Sequence, residues 1–404
     1  MSVQKNAAMT PIIRNAALFA AATREHTFTN MLTGAVVAPK GTKEVGRKQT
    51  DAGYPVVRVT DLEKNKGQDI TVDMVHRLTG TPTMGDKKLE GRGDTMTFAT
   101  DTVRINQGRH LIDNGGAMFE KTIGQDINLI AQGLLKGWYK DLDEETTLYH
   151  IAGARGSEYT DAMIVPLETH PEFGEIMVNP IVPPTFSRHF YGGDATSISS
   201  IDSADMMSLA TVDNVALYLE EMQNPIGHVR LDGDLAKDEE PLFIMFVTPR
   251  QWRDLQNTAS AKDFNQLTAN AMKRSNGFNH PIFKGDCLMK NGILVRKMNR
   301  RVRFNAGSQV RVCQNNAQAT TQLLTAAVNI ERAFLLGSQA LAYAMGTTKS
   351  AKTYMSIHEE TVDHGNAKEY SIAFCNGKKP LQFKDKSGFL HDHGRLIIDT
   401  AVGN

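Results

Sequence analysis

Apolar side chains recur along this chain at two different periods. From Val56 they alternate: Val57 and Val59, then Ile70, Val72 and Met74, then Met96 and Phe98, then Val103 and Ile105. Period two predicts strands, here those of a long β-hairpin with one buried face. Between its arms, residues 78–94 hold four glycines and one proline among polar side chains, the composition of a protruding loop and not of a core. From about Met118 to His150 the period lengthens. Ile123, Ile127, Ile130, Leu134, Trp138, Leu142 and Tyr149 fall on one helical face with Lys, Asp and Glu opposite. A helix of over 30 residues is predicted, roughly 45 Å or more in length. Asp141, Asp143, Glu144 and Glu145 then read as its solvated side, since they lack the glycine and spacing of a calcium-binding loop.

The rest of the chain is more broken. Residues 1–50 read as an arm, with a short helical piece near Asn15 to Arg24 and a Gly/Thr/Lys-rich stretch from Thr33 to Thr50, expected to lie on something else. Residues 154–200 are loop-rich, punctuated by Pro166, Pro171, Pro180, Pro183 and Pro184. Residues 201–346 alternate helix and strand: a helix near Met206–Met222, a strand at Leu242–Val247, a helix at Gln251–Gln256, strands at Ile293–Lys297 and Val310–Cys313, and a buried helix at Leu323–Met345. That is the pattern of a compact domain mixing both elements. The tail, 351–404, is mainly β, with Tyr370–Phe374 and Leu396–Ile398 as its clearest strands.

Composition narrows the picture. The chain has 404 residues, 45 Lys and Arg against 45 Asp and Glu, and 41% hydrophobic side chains, as expected of a soluble, folded protein able to bury a large core. Cys287, Cys313 and Cys375 form no Cys-x-x-Cys pair, so neither a disulfide framework nor a cysteine zinc site is expected, and reducing surroundings fit. The apolar run Ala16–Ala22 behind Lys5 and Arg14 is marginal for a secretory signal. Leu323–Met345 is interrupted by Asn329, Glu331, Arg332 and Gln339, so no membrane span is expected. Charge is neutral overall but segregated. Residues 1–50 carry a net +5, residues 202–240 hold ten acids against Arg230 and Lys237, and residues 273–311 hold ten basic residues against Asp286. Either these are solvated runs, or the acidic face of one copy meets the basic face of the next, head to tail. Only Phe278, Phe283 and Phe304 are aromatic in the basic stretch, so stacking on nucleic-acid bases is poorly supported.

Catalytic motifs are scarce. Gly41-Thr-Lys-Glu-Val-Gly46-Arg47-Lys48 approaches a phosphate loop but lacks Lys directly after the second glycine and the Ser or Thr that follows it. Gly337-Ser338-Gln339 lacks the second glycine of a serine-hydrolase elbow. The best metal candidate joins His391 and His393 with His358, Glu359, Asp363 and His364, imidazoles and carboxylates suited to zinc or iron but without a recognised ligand spacing. The sequence calls for no cofactor.

The residues that fit no enzyme form a pattern of their own. It begins with Leu78-x-Gly80-x-Pro82-x-x-Gly85-Asp86-x-x-Leu89-Glu90-Gly91 and Asp101-x-Val103-x-Ile105-Asn106-Gln107-Gly108-Arg109-His110. Asn179-Pro180, Arg188-His189 before Gly192-Gly193, Phe246-Val247-Thr248-Pro249 with Trp252, and Phe283-Lys284-Gly285-Asp286 follow. Leu336-Gly337-Ser338-Gln339-Ala340-Leu341-Ala342, Asp363-His364-Gly365-Asn366, Asp392-His393-Gly394 and Asp399-Thr400-Ala401 complete it. In order and spacing, from about residue 50 onward, this resembles the major capsid proteins of N4-like tailed phages. The resemblance implies an α+β protein of the HK97-like fold: an N-terminal arm at 1–50, an E-loop β-hairpin at 51–113 with its tip near 78–94, a P domain at 114–200 and 347–404 built on a long spine helix at about 116–153, and an A domain at 201–346.

No catalysis is implied. Such chains assemble as pentamers and hexamers into an icosahedral shell around packaged double-stranded DNA, in the virion capsid, after assembly in the bacterial host cytoplasm. A scaffolding protein, a portal protein and a decoration protein are the further partners implied. The E-loop residues Gly80, Pro82, Gly85, Asp86, Leu89, Glu90, Gly91 and Arg92 would make the inter-subunit contact, with glycines 80, 85, 91 and 93 permitting the turns of its tip. Lys5 and Arg14 would face the DNA without sequence preference. The alternatives are the shell protein of a cellular nanocompartment with the same fold, and a metal-dependent hydrolase using the His391/His393 region with Asp363.

Overall fold

The computed structural model describes residues 29, 31–35, 49–62, 67–76, 78, 80–116, 127–160, 163–234, 236–275, 280–315, 320–347 and 355–403. In chain order the strands are β1 (Val56–Leu62), β2 (Asp69–Val75), β3 (Phe98–Arg104), β4 (Asn106–Gly116), β5 (His189–Tyr191), β6 (Phe243–Val247), β7 (Cys287–Lys290), β8 (Ile293–Lys297), β9 (Arg303–Phe304), β10 (Gln309–Cys313), β11 (Thr321–Thr325), β12 (Ile330–Leu336), β13 (Leu341–Gly346), β14 (Met355–Val362), β15 (Ala367–Pro380), β16 (Gln382–Lys384), β17 (Leu390–Asp392) and β18 (Arg395–Ala401). Among the described residues the helices of ten residues or more are α1 (Ile127–Ala152), α2 (Leu209–Glu221), α3 (Pro249–Thr258) and α4 (Ala261–Arg274).

Two sheets organise the molecule. The first runs β1-β13-β15-β14, with β4 also paired to β15, and the second runs β5-β18-β12-β6-β8-β7, with β9 also paired to β12. Alternate residues of the second sheet enter different cores. Met245, Val247, Val295, Ala333, Leu335, Leu396 and Ile398 pack under α2 and α3. Ile244, Phe246, Leu294, Ile330, Phe334 and Ile397 face the other way and share a core with the end of α1 and with Val56, Leu341 and Tyr343 of the first sheet. No helix among the described residues is long and apolar enough to cross a membrane.

The alternating residues from Val56 form strands, but only two of them make the projecting hairpin. β2 and β3 pair antiparallel, Asp69 opposite Arg104 and Val75 opposite Phe98, whereas β1 runs parallel to β13 inside the first sheet. Residues 323–345, expected as one buried helix, are instead β11, β12 and β13. Every residue of β12 and β13 is buried. A strand covered on both faces presents a continuous apolar run, whose periodicity does not separate it from a buried helix.

The long helix is present, and its buried face is turned from the one predicted. Gly116 closes β4, so the helix does not begin there, and residues 117–126 lie outside the described ones. α1 has 26 residues, about 39 Å. Its inner face is set by Ala131, Leu135 and Tyr139, packed on Met355, Tyr370 and Ile372 of the first sheet, while Leu134, assigned above to the apolar stripe, is 59% exposed. The acids read as its solvated side are split by partner. Asp143 and Glu145 are buried, because Lys378 Nζ reaches Asp143 Oδ1 at 2.6 Å and the backbone N–H groups of Ile164 and Val165 donate to Glu145 at 3.0 and 2.9 Å.

The arm is also partly the chain's own core. Leu32 is fully buried, its carbonyl accepts from the Val56 N–H at 3.0 Å, and Thr33 and Gln49 bridge to Val56 and Val59. The helical piece expected at 15–24 lies outside the described residues.

Candidate interaction surface

The β2–β3 hairpin is a two-stranded sheet separate from the two main ones. Its root is held firmly. Ile70, Val103 and Ile105 are buried against Val57, Val59, Ala342, Ala344, Leu381 and Phe383, each such side chain contributing about 1.5–3 kcal/mol. Asn179 clamps the same place: its Oδ1 accepts from the Arg104 N–H at 3.0 Å while its Nδ2 donates to the carbonyls of Arg104 and Lys378 at 2.9 and 3.1 Å. Lys379 pairs with Asp101 of β3.

Beyond the root the loop stands away from the body. Gly80, Pro82, Gly85, Asp86, Leu89, Glu90, Gly91 and Arg92 are all exposed. Gly85 and Gly91 have φ of 68° and 77°, left-handed values that disfavour any side chain. Gly80 and Gly93 do not share that backbone. Gly80 is needed for closeness instead, because its N–H donates to Asp94 Oδ2 at 2.6 Å and a Cβ there would meet that carboxylate. Among the fifteen large apolar side chains exposed in the described residues, six lie in this one segment: Val75, Leu78, Met84, Leu89, Met96 and Phe98. Apolar groups gathered on a projection mark a surface that is covered by something else. Lys5 and Arg14 lie outside the described residues.

A second group, unseen in the sequence, ties the second sheet to α1. Arg332 of β12 donates through Nε and Nη2 to Asp399 of β18 at 2.8 and 2.7 Å, and through Nη1 to the Ala152 carbonyl at 2.9 Å. Arg395 donates to Asp392 Oδ1 at 2.9 Å and to the carbonyls of His150 and Ile151 at 2.9 and 3.1 Å. Two buried guanidinium groups thus satisfy the last carbonyls of α1, at the negative end of its dipole. His189 Nε2 lies 2.6 Å from Asp399 Oδ2. Burial opposes ionisation of Asp399, but Arg332 and His189 outweigh it and hold the carboxyl below its usual range. The motif pieces Arg188-His189, Asp392-His393-Gly394 and Asp399-Thr400-Ala401 fall on this network. Their partner Arg332 was legible only as an interruption of an apolar run.

Part of the segregated charge is paired within the chain. Arg274 pairs with Asp234 and Glu240, Lys290 with Asp213, and Arg300 with Asp141, Glu144 and Glu145. The candidate metal residues are engaged separately. His391 Nδ1 is 3.0 Å from Ser187 Oγ and its Nε2 3.3 Å from Asp385 Oδ2, His393 lies edge-on to Phe383, and His358 Nε2 is 2.8 Å from Ser356 Oγ. Burial pushes the His393 imidazole pKa down. Among the described residues no three His, Cys, Asp or Glu side chains converge as a metal site.

Residues 3–404 match a family model described as phage capsid protein. The major capsid protein of Pseudomonas phage KPP25 is 20% identical over 366 residues, 87% of this chain and 89% of that protein. The capsid of Ralstonia phage GP4 superposes with a TM-score of 0.72 at 25% identity, over 91% of this chain and 95% of that one. The Cyanophage Pam1 capsid asymmetric unit shares the fold at a TM-score of 0.57 and 16% identity, over 92% of this chain and 99% of that one. These likenesses bear out the mixed α+β capsid fold, and neither the nanocompartment nor the hydrolase alternative finds support.

Proposed function

The chain belongs to the phage capsid protein family, and on that premise we propose that it assembles as pentamers and hexamers into an icosahedral shell around packaged double-stranded DNA. It is a major capsid protein of a bacteriophage, and its role is structural. The observation that carries the assembly reading is the projecting hairpin, with six large apolar side chains exposed between Val75 and Phe98 on a root locked into the body. Exposed apolar surface on that scale is disfavoured in a chain that stays alone, and covering it on a neighbour couples association to burial.

Within this reading the chain divides into an arm at 1–50, an E-loop at 51–113, a P domain at 114–200 and 347–404, and an A domain at 201–346. Gly80, Pro82, Gly85, Asp86, Leu89, Glu90, Gly91 and Arg92 would contact the neighbouring subunit. Lys5 and Arg14 would face the DNA, a contact that salt should weaken. The quoted motifs favour the N4-like group within the family. Scaffolding, portal and decoration proteins are proposed partners, and the host cytoplasm the proposed place of assembly. Negative-stain electron microscopy and light scattering of the protein, expressed alone and with its scaffold, test the reading. Closed shells or rings of five and six copies are expected, and a monomer or dimer under every condition would overturn it.

A further inference from the structure

We propose that copies meet head to tail through two helix faces at opposite edges of the second sheet, the acidic end of α2 in one chain against the basic outer face of α4 in the next. This rests on the shell-forming reading above and names the residues of one contact within it.

β5 and β7 are the outermost strands of that sheet. The C-terminal end of α2 lies beside β5: the ring of Tyr218 is 5.9 Å from that of Phe190, and its hydroxyl donates to the Ser187 carbonyl at 2.8 Å. At the other edge α4 packs on β7, with Phe264 edge-on to Trp252 at 5.6 Å. The two faces are therefore distinct patches on one chain, as a heterologous contact requires.

Each face carries exposed charge, and Glu220 and Glu221 of α2 and Lys262 of α4 stand at helix ends that disfavour them, whereas Lys273 in the last turn of α4 is favoured there. Glu220 and Glu221 are exposed in the last turn of α2, which holds no basic residue. Two negative charges thus sit at the negative end of the helix dipole. Leu217, 55% exposed, stands one turn before Glu221 on the same outward face. On α4 only Ala271 is fully buried. Lys262 and Lys273 are exposed and share the opposite face, three turns apart by helical geometry, with Met272 61% exposed at its margin. Lys262 lies in the first turn, at the positive end of the dipole. Neighbouring charges are engaged internally, Arg274 by Asp234 and Glu240, Lys290 by Asp213 and Arg230 by Asp238. Glu220, Glu221, Lys262 and Lys273 make no such ion pair among the described residues. Bringing the acidic end of one helix to the basic face of the other relieves both mismatches and sets two exposed apolar side chains, Leu217 and Met272, at the contact.

Charge reversal tests this under conditions where the wild-type chain assembles. E220K/E221K makes both patches basic, and K262E/K273E makes both acidic. Each variant alone should fold, as its thermal unfolding will show, yet need roughly tenfold or more higher protein concentration to form rings or shells. Combining all four substitutions in one chain should restore assembly. Mixed one to one, the two variants must alternate around a ring, so they should close rings of six and not of five. Assembly of either variant at the wild-type concentration, or failure of the quadruple variant to recover, would overturn the contact while leaving the capsid reading intact. A wild-type chain that never assembles would instead remove that reading, and this contact with it.

Discussion

His150 sits two residues before the end of α1, almost wholly buried, with its Nε2 3.1 Å from the Met177 carbonyl and its Nδ1 without a partner. Burial pushes its pKa down to about 3, outweighing the opposing effect of the Met177 bond, and the nearby cations Lys378 and Arg395 act in the same direction as burial. The unfolded chain takes up this proton near pH ~6.5, and the folded chain does so only near the lower value. Between them the unfolded state binds more protons, so stability must fall as pH falls, by up to about 1.4 kcal/mol per pH unit for this one group. Above that window the contribution is fully present. Asp399 behaves differently, since its lowered pKa delays any loss to stronger acid, while Glu145 and Glu331, raised by burial, oppose the histidine. Comparing His150→Gln with wild type cancels those shared effects. The glutamine amide can keep the bond to Met177, and a flatter fall of unfolding free energy between about pH 6 and pH 4 is expected from urea titrations. Parallel pH curves for the two proteins would show that His150 contributes nothing.

At the level of elements, the hairpin was the most legible part of the chain, because period two and a cluster of turn residues are local signals that need no knowledge of neighbours. Its tip makes a clear prediction. Gly85 and Gly91 have left-handed backbones, and nothing lies within 4 Å of where a Cβ would stand, so Gly85→Val and Gly91→Val strain the turn without clashing with the body. The strain, about 1–2 kcal/mol per position, falls on a loop outside the packed cores. The monomer melting temperature should therefore move by no more than about 2–4 °C, while assembly, followed by light scattering, drops sharply. Equal loss of folding and assembly would remove the hairpin from the contact. Other elements were misread for reasons that lie beyond local pattern. β12 and β13 look like one helix because both of their faces are covered. The buried side of α1 includes Asp143 and Glu145, the first held in the interior by Lys378 and Tyr343 and the second by Arg300 and the backbone N–H groups of Ile164 and Val165. No periodicity scan marks an acid as internal when its partner lies more than two hundred residues away.

For the whole molecule the connectivity matters more than any one element. The chain reaches the second sheet through β5, leaves it after β12 for β13 of the first, and returns at its end as β18, which lies between β5 and β12. The proposed P and A divisions therefore share a sheet, and one core takes side chains from β1, α1, β12, β13 and β18. Arg332 and Arg395 add a polar tie, each bonded both to a carboxylate of the tail and to the end of α1. Removing one side of such a fully buried pair leaves an uncompensated charge and costs about 3–5 kcal/mol. Parts joined this way cannot lose their packing one at a time without exposing a shared core and an unpaired ion. Scanning calorimetry of the unassembled chain should accordingly show one transition, and Arg395→Met should lower its midpoint without splitting it. Two resolved transitions in the wild-type protein would mean that the divisions unfold independently and that the shared strand and core do not couple them.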